Sequence, residues 1–224
     1  MSRFRILIAL GLCAPIFAAA GCSMGSAPPP PPTVARPSAF IPLGLGASYL
    51  ASGAIGGQAA RAAKMRAAKI RPLTSAAASD YVARAERDLR SQTVGIGVDV
   101  IRVGNGLLIR IPATLTFDSG SSTIKPQFDA TLSEVARTLK AYNQSMVDVL
   151  AHTDTTGSPE HNLALSQKRA TAVAAFLAAR GVARARIATK GMGEAAPLYS
   201  PDDTETERAA NRRVEIRLIP YRAS

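Results

Sequence analysis

With 224 residues the chain has room for one domain of ordinary size plus extensions, or for two small ones, and an apolar content of 47% excludes wholesale disorder. The formal charge of +11 is spread unevenly: residues 23–93 hold nine basic and three acidic side chains, whereas residues 94–224 hold sixteen and thirteen. There is no Trp, only eleven Phe and Tyr, and no groove-reading motif, so the basic excess does not point to a nucleic-acid partner.

The chain opens Met1, Ser2, Arg3, Phe4, Arg5 and turns apolar over residues 6–20, the basic-then-apolar order of a secretory signal. Ala19, Ala20 and Gly21 then precede Cys22, which resembles the lipobox at which bacterial lipoproteins are cut and acylated; the alternative is an ordinary cleavage site beside an incidental cysteine. On the lipobox reading residues 1–21 are a signal peptide, Cys22 carries the lipid, and a membrane is one partner. Cys13 leaves with the signal, so the mature chain is expected to have no disulfide and to rest on core packing. Several acyl chains, at roughly 0.8 kcal/mol per buried methylene, make a lasting anchor. Ser23 after the cysteine, rather than an aspartate, resembles lipoproteins sorted to the outer membrane, which implies a domain facing the periplasm.

Residues 22–42 then form a spacer in which five prolines, Pro28 to Pro32, are followed by Pro37 and Pro42, and a stiff polyproline II run is expected. Residues 43–93 read as a Gly-rich segment, a basic stretch and a short helix. The uncharged residues 38–60 are long enough to suggest a membrane span, but five glycines, Pro42 and Gln58 argue instead for a packing or membrane-surface segment. Gly53 and Gly57, four apart, also leave self-association through this segment open. Arg61, Lys64, Arg66, Lys69 and Arg71 either meet anionic lipid head groups or the acidic cell-wall network, or form a merely solvated face.

Tyr81, Ala85 and Leu89 predict an amphipathic helix over residues 76–92. From residue 96 the apolar period changes to two, predicting a strand over 96–103, a turn at Gly104, Asn105 and Gly106, and a returning strand over 107–111. Pro126 opens a helix that runs to about Tyr142, with Phe128, Leu132, Val135 and Leu139 at helical spacing. A strand over 147–152 follows, then a helix from Pro159 carrying Leu165, Ala172, Val173, Phe176 and Leu177 to a cap at Gly181. Residues 186–190 predict another strand, Thr204 with Glu207 a capping box, and Val214, Ile216 and Leu218 a last strand. The expected fold is α+β: helices packed on one face of a mixed sheet over residues 94–222, preceded by a low-complexity lead-in.

The chemistry-bearing residues cluster in His152-Thr153-Asp154-Thr155-Thr156-Gly157, Asn162, Leu165-Ser166-Gln167-Lys168-Arg169-Ala170 and Asn211-Arg212-Arg213-Val214. Over about residues 98–218 these resemble the OmpA-like peptidoglycan-binding domains shared with Pal lipoproteins and the motor protein MotB. Residues 117–122 and Ile124-Lys125-Pro126 resemble the loop that opens the family's pocket. The resemblance implies that Asp154 pairs with the ammonium of a diaminopimelate stem peptide and Arg169 with its carboxylate. It further implies amide hydrogen bonds from Asn162, a second positive group in Arg212, and backbone donors near Asp118 and Ser119. The physical logic is that a zwitterion is read by a fixed carboxylate and a guanidinium together, and the planar fork of arginine suits a carboxylate better than lysine does. Without the resemblance, Asp154 reads as a turn cap and Arg169 as a bridge to an acidic neighbour on its helix. Ala151, His161, Glu207 and Gly120 depart from the usual pattern, and none of them removes a charged contact.

A metal-dependent hydrolase built on His152, Asp154 and His161 lacks an HExxH arrangement, a third histidine and a mature-chain cysteine. Ser158 and Ser166 have no base partner in a GxSxG context. The expectation is therefore a binding protein without metal, cofactor or catalytic residues, tethering the outer membrane to peptidoglycan. The alternative is a brace in a motor-stator or secretion complex that uses the same domain.

Overall fold

The structure, a computed structural model, describes residues 53–222. The expected signal peptide, the lipidation at Cys22, the proline spacer and most of the 38–60 segment lie outside the described residues. A five-stranded mixed sheet of order β1-β2-β5-β3-β4 organises the chain. Its strands are β1 (Asp99–Val103), β2 (Gly106–Pro112), β3 (Ser145–His152), β4 (Ile187–Gly193) and β5 (Arg213–Pro220). Only β3 and β4 run parallel, and the other pairs are antiparallel.

The helices are α1 (Gln58–Ala67), α2 (Ser75–Thr93), α3 (Ala113–Thr116), α4 (Pro126–Ala141), α5 (Pro159–Ala179) and α6 (Glu205–Asn211). The expected periodicities account for most of them. On one sheet face Leu107, Ile109, Ile111, Val147, Val149, Val214, Ile216 and Leu218 meet Leu89 of α2, Leu132, Val135 and Leu139 of α4, and Val173 and Leu177 of α5. This is the apolar core whose burial stabilises the domain, at about 1.5–3 kcal/mol per large side chain. Pro126 and Pro159 both start helices, where a missing N–H costs nothing, and Ser158 accepts from the His161 N–H to cap α5. Thr204 and Glu207 form the expected capping box.

Several boundaries differ from the sequence reading. β1 begins at Asp99 rather than at residue 96, because Gly95 and Gly97 adopt left-handed φ of 78° and 76° that interrupt a strand. The hairpin closes through Gly104 and Asn105 alone, with Val103 already paired to Gly106. Gly104 takes the positive φ, 54°, of a II′ turn. Arg186, expected to begin a strand, instead ends a 3-10 turn (Arg184–Arg186) and is fully buried. Its guanidinium donates to the carbonyls of Leu139, Tyr142 and Ser145 and to the Ser145 hydroxyl, capping the end of α4. Burial pulls its pKa down to about 10.

The lead-in differs most. Residues 75–93, set outside the domain in the sequence reading, place Ala78, Tyr81, Val82, Ala85 and Leu89 in the same core as the strands. α1, which was not anticipated, lies on the opposite sheet face, where Met65 packs with Met146 and Tyr221. Arg61 is not a lipid-facing or solvated cation. It is 3% exposed, and its Nη1 donates to Asp148 Oδ1 at 2.7 Å. Asp148 also accepts from Arg217 Nη2 and from the Ile55 N–H, both at 2.9 Å. A strand position on the second face thus carries a buried carboxylate held by two guanidiniums. Among the described residues no helix is long and apolar enough to cross a membrane.

Candidate functional site

Asp154 lies two residues past β3, in a stretch kept in register by a Thr153 N–H bond to the carbonyl of Gly193, the last residue of β4. Its carboxylate is 10% exposed. Oδ1 accepts from the Thr156 N–H at 3.1 Å, so the residue does cap a turn, while Oδ2 accepts from Arg212 Nη1 at 2.5 Å. A carboxylate offers about four lone-pair sites, and these bonds use two. Arg212 also pairs through Nη2 with Glu205, the first residue of α6. Burial works against its charge, but the bonds to Glu205 and Asp154 outweigh it and hold the Arg212 pKa above its ordinary value.

Arg169, in the middle of α5 and 5% exposed, reaches across to the 117–125 loop. Nε donates to the Ser121 carbonyl at 2.8 Å and Nη2 to the Asp118 carbonyl at 3.3 Å, with the guanidinium 5.1 Å from the Phe117 ring centroid. Its bonds are to the loop rather than to an acid on its own helix. Of its five N–H donors three stay available for a ligand. Burial lowers its pKa, the charge of Arg212 adds to that effect, and Asp154 opposes it, so the three charged groups share one field. α5 comes close enough to supply Arg169 because β4 carries glycine where they cross: a Cβ at Gly191 would lie 2.4 Å from the Gln167 backbone nitrogen.

Asn162, 3% exposed, spends its amide on the protein. Nδ2 lies 3.3 Å from the Asp154 carbonyl, 3.1 Å from the Thr156 carbonyl and 2.9 Å from Glu194 Oε2. The geometry makes it a brace for the 154–156 turn. Asp118 and Ser119 are exposed at the tip of the loop, and the Asp118 carboxylate is 3.1 Å from Lys125 Nζ. Asp154, Arg169 and Arg212 are therefore brought together, Asn162 supports them from behind, and Asp118 and Ser119 stand at the rim. His152 is buried beside Glu215 on the second sheet face and His161 is exposed on the first turn of α5. Among the described residues no three His, Cys, Asp or Glu side chains converge. A cleft of about 360 Å³ lies elsewhere, between residues 53–57, Leu150, Lys190 and Arg217, and shares no residue with the cluster.

Residues 116–212 match the family model described as the OmpA family. The chain is also 34% identical over 122 residues to the peptidoglycan-associated lipoprotein of Brucella melitensis biotype 1, an alignment covering 54% of this chain and 72% of that one. The chain belongs to the OmpA family. A second OmpA-like relative is the probable lipoprotein YiaD of Escherichia coli (strain K12), 44% identical over 140 residues. There the alignment covers 62% of this chain and 64% of the relative, so the chain spans just under two thirds of that protein's length. Among solved structures the cell wall anchor of the T6SS from Pseudomonas aeruginosa matches with a TM-score of 0.55 and 27% identity, over 61% of this chain and 97% of the other.

The OmpA match begins at α3, so α1, α2 and the β1-β2 hairpin lie outside it. Sequence reasoning missed three supports of the OmpA-type site. Glu205 holds the far side of Arg212, and only its place after the Thr204 cap, one turn from Arg208 and two from Arg212, hinted at it. Asp202 receives the Thr155 N–H, the Thr155 hydroxyl and Asn211 Nδ2, latching the 198–204 loop beside Asp154. Ser166 Oγ accepts from the Gly193 N–H at 2.9 Å, tying α5 to the end of β4.

Proposed function

We propose that this chain is an outer-membrane lipoprotein whose OmpA-like domain binds peptidoglycan non-covalently and tethers the membrane to the wall. The observation that carries the reading is the cluster of Asp154, Arg169 and Arg212 within one field, with ligand-facing capacity left on each. A diaminopimelate side chain presents an ammonium and a carboxylate on one carbon. The ammonium takes the two unused lone-pair sites of Asp154, and the carboxylate takes the unused N–H groups of Arg169 and Arg212. A lysine-type peptide lacks the carboxylate and leaves Arg169, bonded only to carbonyls, without a carboxylate partner, which disfavours it. The relatives named as lipoproteins support the lipid anchor at Cys22, and the name of the Brucella relative supports the wall as partner. The reading is of a binding module.

The test is calorimetric titration of the protein with a diaminopimelate stem peptide and with its lysine counterpart, alongside co-sedimentation with sacculi. Asp154→Ala and Arg169→Ala are each expected to weaken binding about 10- to 100-fold, the equivalent of losing a charged hydrogen bond worth about 1.5–3 kcal/mol. Equal affinity for both peptides would remove the zwitterion reading, and failure to sediment with sacculi would remove the tether. The similarity to the secretion-system cell wall anchor favours a second reading, in which the same wall-bound domain braces a larger envelope machine. Pull-down of secretion or motor subunits would establish it.

A further inference from the structure

The first 79 residues contain no acidic side chain, and Asp80 is the first. Within this acid-free stretch α1 is held in a fixed rotation. Arg61 and Met65, one turn apart, face the sheet, the former bonded to Asp148 and to the Ile55 and Arg186 carbonyls, the latter packed on Met146. That rotation leaves Lys64 and Arg66 exposed, one on each flank of the helix. The helix then ends in a Schellman turn: Lys69 takes a left-handed φ of 57°, its N–H meets the Arg66 carbonyl, and the Ile70 N–H meets the Met65 carbonyl. Ile70 returns to the apolar cluster of Met65 while Lys69 and Arg71 remain exposed. Exposed Arg184, on the 3-10 turn against which α1 packs, and exposed Arg222, bridged to Leu73, extend the face. None of these six cations forms an ion pair among the described residues.

We propose that this face is a docking surface for a bilayer containing anionic lipid. Its place in the fold decides between that partner and the wall. α1 covers the start of β3, at Met146 and Asp148, and the end of β5, at Ile219 and Tyr221. The Asp154, Arg169 and Arg212 cluster lies at the opposite ends of the same two strands. Eight residues of chain from Met146 to Asp154, at roughly 3.3 Å per residue, separate the two by about 25 Å. On the wall-binding reading proposed above, on which this orientation rests, one end of the sheet faces the peptidoglycan and the basic end faces the membrane. A second copy of the chain would bring like charges together and is disfavoured. Four cations within eight residues, with their carbon stems along the surface, act within a Debye length of anionic head groups. The chain thereby gains a second, salt-sensitive membrane contact that sets the domain's orientation.

The test uses the full chain carrying Cys22→Ala, so that acylation does not fix it to lipid. Binding is measured by flotation with vesicles of neutral phosphatidylcholine and with vesicles holding 3 parts in 10 phosphatidylglycerol, the neutral value removing the apolar contribution of the leader and the comparison with the fourfold variant removing that of Arg3 and Arg5. Binding in excess on the anionic vesicles is expected, falling about tenfold or more when Lys64→Gln, Arg66→Gln, Lys69→Gln and Arg71→Gln are combined. It should also fall between low and high salt. The two paired variants, Lys64→Gln with Arg66→Gln and Lys69→Gln with Arg71→Gln, should each lose part of the excess. Sacculi sedimentation, unaffected by these changes, reports that the fold and the other site are intact. Equal anionic excess in wild type and the fourfold variant overturns the proposal. So does loss of sacculi binding with vesicle binding unchanged, which would assign the face to the wall.

Discussion

Asp148→Asn removes one charge and keeps the shape of the side chain. Asp148 is 0% exposed and faces the guanidiniums of Arg61 and Arg217, whose side chains are 4% and 3% exposed. With asparagine in its place the amide oxygen can still accept one bond, but its NH2 confronts a guanidinium and two buried positive charges lose their shared carboxylate. Removing one member of a buried pair typically costs about 3–5 kcal/mol, against a domain stability of about 5–15 kcal/mol. Arg61→Met provides the contrast. It takes away a positive charge and leaves Asp148 with Arg217 Nη2 and the Ile55 N–H, so the expected cost is smaller, about 1–3 kcal/mol. That cost falls on α1, since the other Arg61 bonds run to the Ile55, Val147 and Arg186 carbonyls. Urea unfolding with fitted slopes measures both, and hydrogen exchange of the α1 amides should rise in Arg61→Met before global unfolding. A loss of less than about 1 kcal/mol in Asp148→Asn would refute the reasoning. Equal losses in the two variants would show that attachment of α1, rather than the uncompensated charges, governs the cost.

Gly191→Ala is expected to push α5 away from β4, because the added Cβ meets the backbone of Gln167 rather than a side chain that can swing aside. Stability should fall by about 1–3 kcal/mol and stem-peptide affinity should fall with it, as Arg169 moves; chemical denaturation and titration read the two effects. Glu205→Gln leaves Arg212 paired with Asp154 alone, so a ligand carboxylate no longer competes with Glu205 for Arg212. Affinity should rise a few-fold at low salt, and the gain should shrink as salt is added. The fold should also lose stability in acid. Burial holds the His152 pKa below its ordinary value, so the unfolded chain takes up that proton first and stability declines as pH falls below about 6.5. Burial alone would raise Glu215, but His152 and Arg213, with the Arg213 Nε bond at 2.8 Å, hold it well below the carboxylate range. Its contribution is present above about pH 4.3 and is lost below that. Urea midpoints at pH 7, 5.5 and 4 check both windows, and His152→Asn should flatten the upper one and weaken the lower, where His152 also acts on Glu215.

The core was legible because its signals are local. Phe128, Leu132, Val135 and Leu139 repeat at helical spacing, Val214, Ile216 and Leu218 alternate, and Pro126, Pro159, Gly181 and the Thr204 box mark ends whose chemistry is fixed within one turn. The charged cluster was legible in part, since Asp154, Arg169 and Arg212 belong to motifs. They lie 15 to 58 positions apart in the chain, and no periodicity reports an ion pair or a shared field across that separation. The second sheet face was not legible at all. Asp148, Glu215, Arg213 and Arg217 alternate with apolar residues along β3 and β5, and charged-out, apolar-in alternation is what a half-solvated strand shows. Only a count of partners across the sheet reveals that these charges are buried. Arg61 misled for the same reason: within its own segment it is one of five cations, and the carboxylate that distinguishes it is 87 residues away.

The buried charges and the pair of Asp154 with Arg212 lie on one continuous pair of strands, which gives a reason for the domain to keep so many ions inside. Along β3 and β5 the second-face side chains run from Asp148 and Arg217 at one end through His152, Glu215 and Arg213, and the ion pair of Asp154 with Arg212 follows just past the other end. Each carboxylate is paired with at least one guanidinium, so the backbone positions of Asp154 and Arg212 are fixed by neighbours that cannot slide without separating charges. A strand slip of one residue would turn Asp148 and Glu215 into the apolar core, which makes the register unambiguous. On the proposed function, Asp154 and Arg212 are thereby held in place before a ligand arrives, and less of the interaction energy is spent on ordering them. An apolar second face would give comparable or greater stability, but it would leave the register of Asp154 against Arg212 to packing alone.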